Sequence, residues 1–499
     1  MQLTRYRSII SEWDRFQDAI SRRDPTTLRV RTGRVSREDI AERLRAQGFT
    51  LERVEGLPDF LRVLGGPHSV ADTVENWLGL FYVQQASTGV AAPALGARPG
   101  ERILDLCAAP GGKTTHIADT MEDDGCIVAV DRNASRIRAL LGNLYRTAHP
   151  NVLVVSGDSR SLPDGALFDR VLVDAPCSAE GTLRRKGGQP REQSAKFRNQ
   201  VPRRQEALLR RAVALTRPGG VVLYSTCTFA PEENEAVVDR VLSTEDVVLE
   251  PINLEAPHAP GLTRFEGQTY DTQMEGACRI YPHHLDSGGF FMARFRRIDG
   301  GLPENAGEMP GWTTIPTVFP DGRNEPEEVA KTIGEGIERL KQHFGVGPGA
   351  LKGFQWMARG RDLWVHRCGT WPLDSWGESD RRRVVAVGLR AMTPDYRDRP
   401  RPTNHLLRLL ENAVMSKLVA LSTHQWAELL AGEDVAVPGV ESGFVPLGLM
   451  NQVAGRGLVR GGRVRYEIPK VQARWLQRIL ELRSKAPSSK DVCGDGSGE

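Results

Sequence analysis

Two cysteines stand out by where they fall. In "RVLVDAPCSAEG" Cys177 comes three residues after Asp174, at the end of an apolar run, and in "GVVLYSTCTF" Cys227 closes another. Both runs read as strands buried on both faces. A cysteine that serves only as a small hydrophobe belongs inside such a strand, facing a helix. At a strand end its thiolate is available as a nucleophile. A third stretch, "RILDLCAAPGGKTTHIAD", reads as strand, tight turn and helix, with Asp105 closing the strand. Ala108, Ala109, Gly111 and Gly112 let a ligand approach the backbone closely, and the helix that follows offers free N–H groups. This loop is neither G-x-G-x-x-G nor a G-x-x-x-x-G-K-[ST] phosphate cradle. The next strands end in Asp131 ("VAVD"), Asp158 ("VVSGD") and Asp174 ("VLVDAP"), so consecutive strands each deliver an aspartate to one edge. An acidic residue closing the second strand suits ribose hydroxyls. A nucleoside pocket without a phosphate cradle points to S-adenosylmethionine as cofactor.

A thiolate beside a methyl donor suits one reaction in particular, methylation of carbon 5 of a pyrimidine. That carbon is not nucleophilic in the free base. Addition of a thiolate to carbon 6 turns the ring into an enamine whose carbon 5 attacks the methyl group, so one hard step becomes two easier ones. Nitrogen 3 then needs a hydrogen bond as charge develops, and Asp174 is placed to provide it. The carbon 5 proton must finally leave and the enzyme be eliminated, a step that a second thiol would help.

The elements that must position these residues alternate. Between residues 100 and 298, strand patterns ("RILDL", "CIVAVD", "VLVVSGD", "RVLVDAP", "GVVLYSTC", "GFFMARF") are separated by helical ones such as "SRIRALLGNLYRTA" and "RRQEALLRRAVALT". This predicts an open α/β sheet of Rossmann-like class I methyltransferase type, with helices on both faces. Residues 1–75 form a small α+β unit in which Ser36 and Asp39 open a helix at capping spacing and Gly48 closes it. Residues 76–298 make the catalytic domain, 299–345 a connector, 346–480 a second α+β domain and 481–499 a disordered tail.

The bulk figures exclude several classes. Over 499 residues, 40% are hydrophobic and 26% charged, and the formal net charge is only +3, so any basic surface is local. The first residues lack the apolar core of a signal peptide and no apolar run is long enough to span a bilayer. A cytoplasmic protein with no membrane association is expected. The seven cysteines show no C-x-x-C and no zinc-ligand spacing, so neither a disulfide framework nor a metal is expected.

"LDLCAAPGGKT", "DAPCSAEGT" and "YSTCTFAPEENE", in that order, resemble the NOL1/NOP2/Sun family of RNA cytosine-5 methyltransferases. "YVQQAST" and "CRIYPHHLDSGGFFMARF" are similar to segments flanking that family's motifs, and "TLRVRTGRVSREDIAERLRAQGF" to its N-terminal RNA-contacting unit. "VPLGLMNQVAGRGLVRGGRVRYEIPK" is more weakly similar to the PUA-like C-terminal domain of the bacterial 16S rRNA branch. The resemblance implies Cys227 as the nucleophile on carbon 6 and Cys177 as the group that assists release. It implies that Asp174 binds the cytosine edge and that Lys113 reaches the base. The backbone of Cys107, Ala108, Ala109, Pro110, Gly111, Gly112 and Lys113 would hold the methionine part of the cofactor, Asp131 its ribose and Asp158 its adenine. DNA enzymes of this chemistry use the other cysteine and carry an E-N-V tripeptide, absent here. The implied partner is RNA, ribosomal first and transfer RNA second, and the expected state is a monomer. Two other classes compete: a ribosome assembly factor that binds RNA, which an altered cysteine or acidic strand end would favour, and an exocyclic-amine methyltransferase, which needs an aromatic residue where "DAPCS" has none.

From Thr182 to Arg217 eleven Lys or Arg stand against two Glu, a stretch suited to phosphates. "SDRRRVVAVGLR" and "DYRDRPRP" offer a second basic region. Trp356, Trp364, Trp371 and Trp376 are candidates for stacking on bases, with core packing as the other expectation.

Overall fold

The computed structural model describes residues 3–186, 194–298, 310–320, 326–377, 383–396 and 399–484. The expected disordered tail therefore lies almost wholly outside the described residues, as do Cys493, part of the connector and part of each basic stretch.

The six strands expected from the apolar runs form and line up in one sheet, joined by others. In chain order they include β1 (Arg102–Asp105), β2 (Cys126–Asp131), β3 (Val152–Ser156), β4 (Phe168–Asp174), β5 (Thr216–Thr226), β6 (Cys278–Ile280), β7 (Phe290–Arg297) and β8 (Val384–Val387), with β6 and β8 beyond the expected six. Their order is β6-β7-β5-β4-β1-β2-β3-β8. The strands β1 to β5 pair in parallel, and β7 runs antiparallel on β5. The chain moves outward from β1 to β3, then returns to lay β4 on the other side of β1. This makes β1/β4 the switch point, where open sheets of this kind bind ligands. Leu104, Val128, Val154, Leu172 and Leu223 are completely buried at its centre, each worth about 1.5–3 kcal/mol of transfer from water. Around them lie α1 (Gly112–Thr120), α2 (Ala134–Thr147), α3 (Ala195–Leu215) and α4 (Glu235–Leu242). The Asn133 side chain caps α2 by accepting the N–H groups of Ser135 and Arg136.

The N-terminal strands Thr26–Val30, Thr50–Val54 and Leu57–Gly65 form a sheet completed by Phe81–Val83. Ser36 accepts the Asp39 N–H at 3.0 Å, and Gly48 takes φ +86°, as the capping pattern predicted. The arginines of "TLRVRTGRV" are turned inward. Arg29 and Arg31 are buried and both pair with Asp119 on α1. Burial alone would raise Asp119, but the two guanidiniums hold it well below the carboxylate range. These arginines fasten the N-terminal sheet to the catalytic domain.

The C-terminal half builds a four-stranded and a five-stranded sheet and also supplies β8, which pairs with β3 and closes that side of the main sheet. Gly388 takes the chain out of β8 at φ +58°, where a Cβ would sit 2.3 Å from the Val365 carbonyl oxygen. Trp356, Trp364, Trp371 and Trp376 are all buried, which favours the packing role for them. The Trp77 indole N–H donates to the Gln472 carbonyl at 3.1 Å, joining the N-terminal region to the helix Lys470–Ser484.

Candidate active site

Parallel pairing of β4 with β5 sets Asp174 opposite Ser225, so the turns beyond both strands meet. Cys177 Sγ lies 3.3 Å from Cys227 Sγ, and both residues are half-buried. The hydrogen bond from Cys177, helped by the Lys113 ammonium, brings Cys227 below the ordinary thiol range against the opposing pull of burial and Asp174. The same bond, together with burial, raises Cys177 well above it. Cys227 is therefore the readier thiolate, and Cys177 keeps its proton and donates it to that sulfur. Accordingly, iodoacetamide should alkylate Cys227 before Cys177 at neutral pH. Replacing Cys177 by Ala should move the Cys227 profile to higher pH, because its hydrogen-bond donor is gone. Mass spectrometry of labelled peptides across pH 6–10 checks this, and an unmoved profile would exclude the shared proton.

The two cysteine loops are knitted together by residues the sequence reading did not single out. The Ser178 N–H and Gln205 Nε2 both donate to Glu233 Oε2, at 2.9 and 3.0 Å, and Gln205 also donates to the Pro176 carbonyl at 3.0 Å. The Ser178 and Thr228 hydroxyls are 2.7 Å apart, and the Gly181 N–H donates to the Cys227 carbonyl at 2.9 Å. Burial raises Glu233. Its place in "PEENE" was the available signal, but a sequence does not say that Glu233 and Glu235 turn inward while Glu232 does not, nor which of them meets the cysteine loops.

Asp174 is held on two sides. Its Oδ2 lies 2.8 Å from Lys113 Nζ, and its Oδ1 accepts the Ser225 hydroxyl at 3.1 Å. Lys113 stands in the first turn of α1, with its ammonium 5.1 Å from the centre of the Phe290 ring on β7. Next to this pair, Asp105 is buried and accepts from the Thr114 hydroxyl at 2.7 Å and the Cys107 N–H at 3.3 Å. Burial, with Asp174 adding to it, raises Asp105 to about 6. Cys107 is half-buried, and burial together with Asp105 pushes its thiol far up, so it is not a competing nucleophile.

The loop from Cys107 to Gly112 turns through Gly111 at φ +104°, where a Cβ would come 2.8 Å from Leu140 Cδ1. This tight turn places the start of α1 over the strand edge. Asp131 accepts the N–H groups of Ala109 at 3.3 Å and Asn133 at 2.9 Å, one on each oxygen. Oδ2 also faces Arg136 Nη1 at 3.5 Å, whereas Oδ1 retains a lone pair for a further donor, so the loop and Asp131 fit a nucleoside with an aminoacyl tail. Asp158 is engaged differently. Arg160 binds both its oxygens, at 3.0 and 2.6 Å, and holds it down to about 2.

Part of the basic stretch after Cys177 is committed to the protein itself, while Arg203 and Arg204 are exposed. Arg184 donates to the carbonyls of Arg22, Arg23 and Ser287 and to Asp286. Arg210, Arg211 and Arg217 pair with Glu206 and Glu245, Asp164, and Asp169 respectively. Residues 187–193 lie outside the described residues. Among the described residues no helix is long and apolar enough to cross a membrane.

A parallel sheet with its switch point at β1/β4, an edge lined with aspartates and a pair of adjoining thiols define a Rossmann-like methyltransferase. Residues 92–296 match the family described as 16S rRNA methyltransferase RsmB/F. The ribosomal RNA small subunit methyltransferase F of Erwinia tasmaniensis is 31% identical over 380 residues, which cover 73% of this chain and 72% of that protein. The 28S rRNA (cytosine-C(5))-methyltransferase of Mus musculus is 33% identical over 359 residues, 69% of this chain but 45% of that protein. The crystal structure of a methyltransferase homolog protein from Pyrococcus horikoshii aligns with a TM-score of 0.51 at 33% identity, over 57% of this chain and 90% of that one. The chain belongs to the RsmB/F methyltransferase family. It spans less than half the length of the mouse relative, and the family match ends at residue 296, before the C-terminal half.

Proposed function

We propose that the protein transfers a methyl group from S-adenosylmethionine to carbon 5 of a cytosine in RNA, with ribosomal RNA in the cytoplasm as the substrate, through a covalent adduct on Cys227. The observation that carries this reading is the contact of the two thiols at 3.3 Å beside the Lys113–Asp174 pair at 2.8 Å. The names of the relatives support the RNA and the carbon.

The backbone from Cys107 to Lys113 would hold the methionine part of the cofactor and Asp131 the ribose, and the bound cofactor supplies an electrophilic methyl group. The Cys227 thiolate adds to carbon 6. Asp174 accepts from the exocyclic amine, while the Lys113 ammonium donates to the ring as negative charge spreads toward nitrogen 3. Once Cys227 is a thioether it no longer accepts the Cys177 proton, so the bond that raised Cys177 disappears. Cys177 can then pass its proton to solvent water and, as the thiolate, take the one on carbon 5, while the bond between carbon 6 and sulfur breaks and Cys227 leaves as a thiolate.

The test is methyl transfer from labelled S-adenosylmethionine to ribosomal and transfer RNA transcripts, with the product located by bisulfite sequencing. Labelled 5-methylcytosine in ribosomal RNA is expected. Label confined to transfer RNA would change the substrate and keep the reaction, and no 5-methylcytosine in either would overturn both.

A further inference from the structure

Cys177 Sγ and Cys227 Sγ stand 3.3 Å apart. The sulfurs of a disulfide lie about 2.0 Å apart, so a movement of about 1.3 Å would join them. The backbone is tied on both sides of the pair. Before it, the Ala175 N–H donates to the Ser225 carbonyl at 2.8 Å, and after it the Gly181 N–H donates to the Cys227 carbonyl at 2.9 Å. The Ser178 and Thr228 hydroxyls add a tie at 2.7 Å. These bonds hold the two loops together before the sulfurs are joined, so little further ordering is needed to join them. Of the six cysteines among the described residues, Cys126, Cys278 and Cys368 are buried, and Cys107, Cys177 and Cys227 are half-buried. Burial together with Asp105 keeps the Cys107 thiol protonated, while Cys227 lies below the ordinary thiol range. An oxidant that takes thiolates therefore meets Cys227 first, and Cys177 is the thiol within reach of it.

We propose that Cys177 and Cys227 form an oxidation site, which hydrogen peroxide closes to a disulfide and a dithiol reopens, and that the closed form does not transfer methyl groups. The loss of methyl transfer rests on the reaction proposed above, whereas the disulfide does not. The Cys227 thiolate attacks one peroxide oxygen. A sulfur–oxygen bond forms, the oxygen–oxygen bond breaks, and hydroxide leaves and takes the Cys177 proton to become water. The Cys177 thiolate then attacks the sulfur of the Cys227 sulfenic acid. A sulfur–sulfur bond forms, the sulfur–oxygen bond breaks, and the departing hydroxide takes a proton from solvent. Each sulfur gives up one electron, and the two peroxide oxygens take them. A lone thiolate at this place would go on to the sulfinic acid, from which thiol reductants do not recover it. The residue proposed to release the product thus also protects the nucleophile.

The experiment exposes the full chain to equimolar hydrogen peroxide at neutral pH and samples it over time, before and after dithiothreitol. The intact mass should fall by about 2 Da, the two hydrogens lost as the bond forms. The unreduced digest should contain the Cys177 peptide joined to the Cys227 peptide. Methyl transfer should be lost in step with the joined fraction and return with dithiothreitol, while S-adenosylmethionine affinity stays unchanged. In Cys177→Ser, Cys227 should instead be carried on to the sulfinic or sulfonic acid, and dithiothreitol should not restore its thiol. The wild-type digest decides alone if that variant does not fold. A wild type in which Cys227 gains oxygens without joining Cys177, or joins another cysteine, overturns the inference. So does a joined form that still transfers methyl groups at the untreated rate. A protein that joins the two cysteines yet transfers no methyl before treatment counts against the proposed reaction and leaves the oxidation site standing.

Discussion

Cys227→Ala should yield a protein that neither methylates RNA nor forms a covalent complex with it, whereas Cys177→Ala should yield one that stays bound to its RNA. The contrast follows from the order of the steps. Without the Cys227 thiolate nothing adds to carbon 6, carbon 5 never becomes nucleophilic, and turnover should fall at least a thousandfold, about 4 kcal/mol in barrier height. Without Cys177, addition and methyl transfer remain possible and elimination slows. The adduct then accumulates as a slow band on a denaturing gel, which RNase collapses. The double variant should match Cys227→Ala, because release has nothing to act on. The asymmetry is already present in the resting protein, where the shared proton lowers Cys227 and raises Cys177. Adduct with Cys227→Ala and none with Cys177→Ala would reverse the roles. Methylation untouched by either change would remove the covalent mechanism.

Asp131→Ala should weaken S-adenosylmethionine binding by about 1.5–3 kcal/mol, roughly ten- to more than hundredfold, the usual worth of a hydrogen bond to a charged group. Two losses combine. The ribose loses its acceptor, and the Ala109 and Asn133 N–H groups lose the carboxylate that fixes the loop. Asp131→Asn keeps one oxygen and should fall between wild type and alanine. Calorimetric titration measures this, and unchanged affinity in the alanine variant would remove Asp131 from the pocket.

Much of this site was legible because strand ends are legible. Apolar runs marked β1 to β5, and residues just beyond such runs must gather at one edge, so Cys177, Cys227, Asp131 and Asp174 could be brought together before any coordinates. What connects them could not be read. The Lys113–Asp174 pair depends on the angle at which α1 leaves its loop, and the Glu233 contacts depend on how one loop folds over another. Arginines misled for a related reason. Arg29, Arg31 and Arg184 look like RNA contacts in a list of basic residues, and the fold buries all three. Charge in a sequence carries no sign of whether an aspartate or a carbonyl waits opposite. The pairing of β8 with β3, in another part of the chain, left no mark in either segment.

That last pairing sets the order in which the chain can mature. Val384 bonds beside Val155 in the finished sheet, so during synthesis β3 emerges long before the strand that covers it. Until then its outer N–H and C=O groups form an open edge able to pair with another chain. The catalytic sheet, although specified by residues 100 to 298, thus waits for the C-terminal half, and closing so long a loop makes this one of the slower steps of folding. A fragment ending near residue 298 would keep that edge open permanently and be prone to self-association. The C-terminal half therefore acts, among its other roles, as a built-in chaperone for the sheet that carries the cysteines.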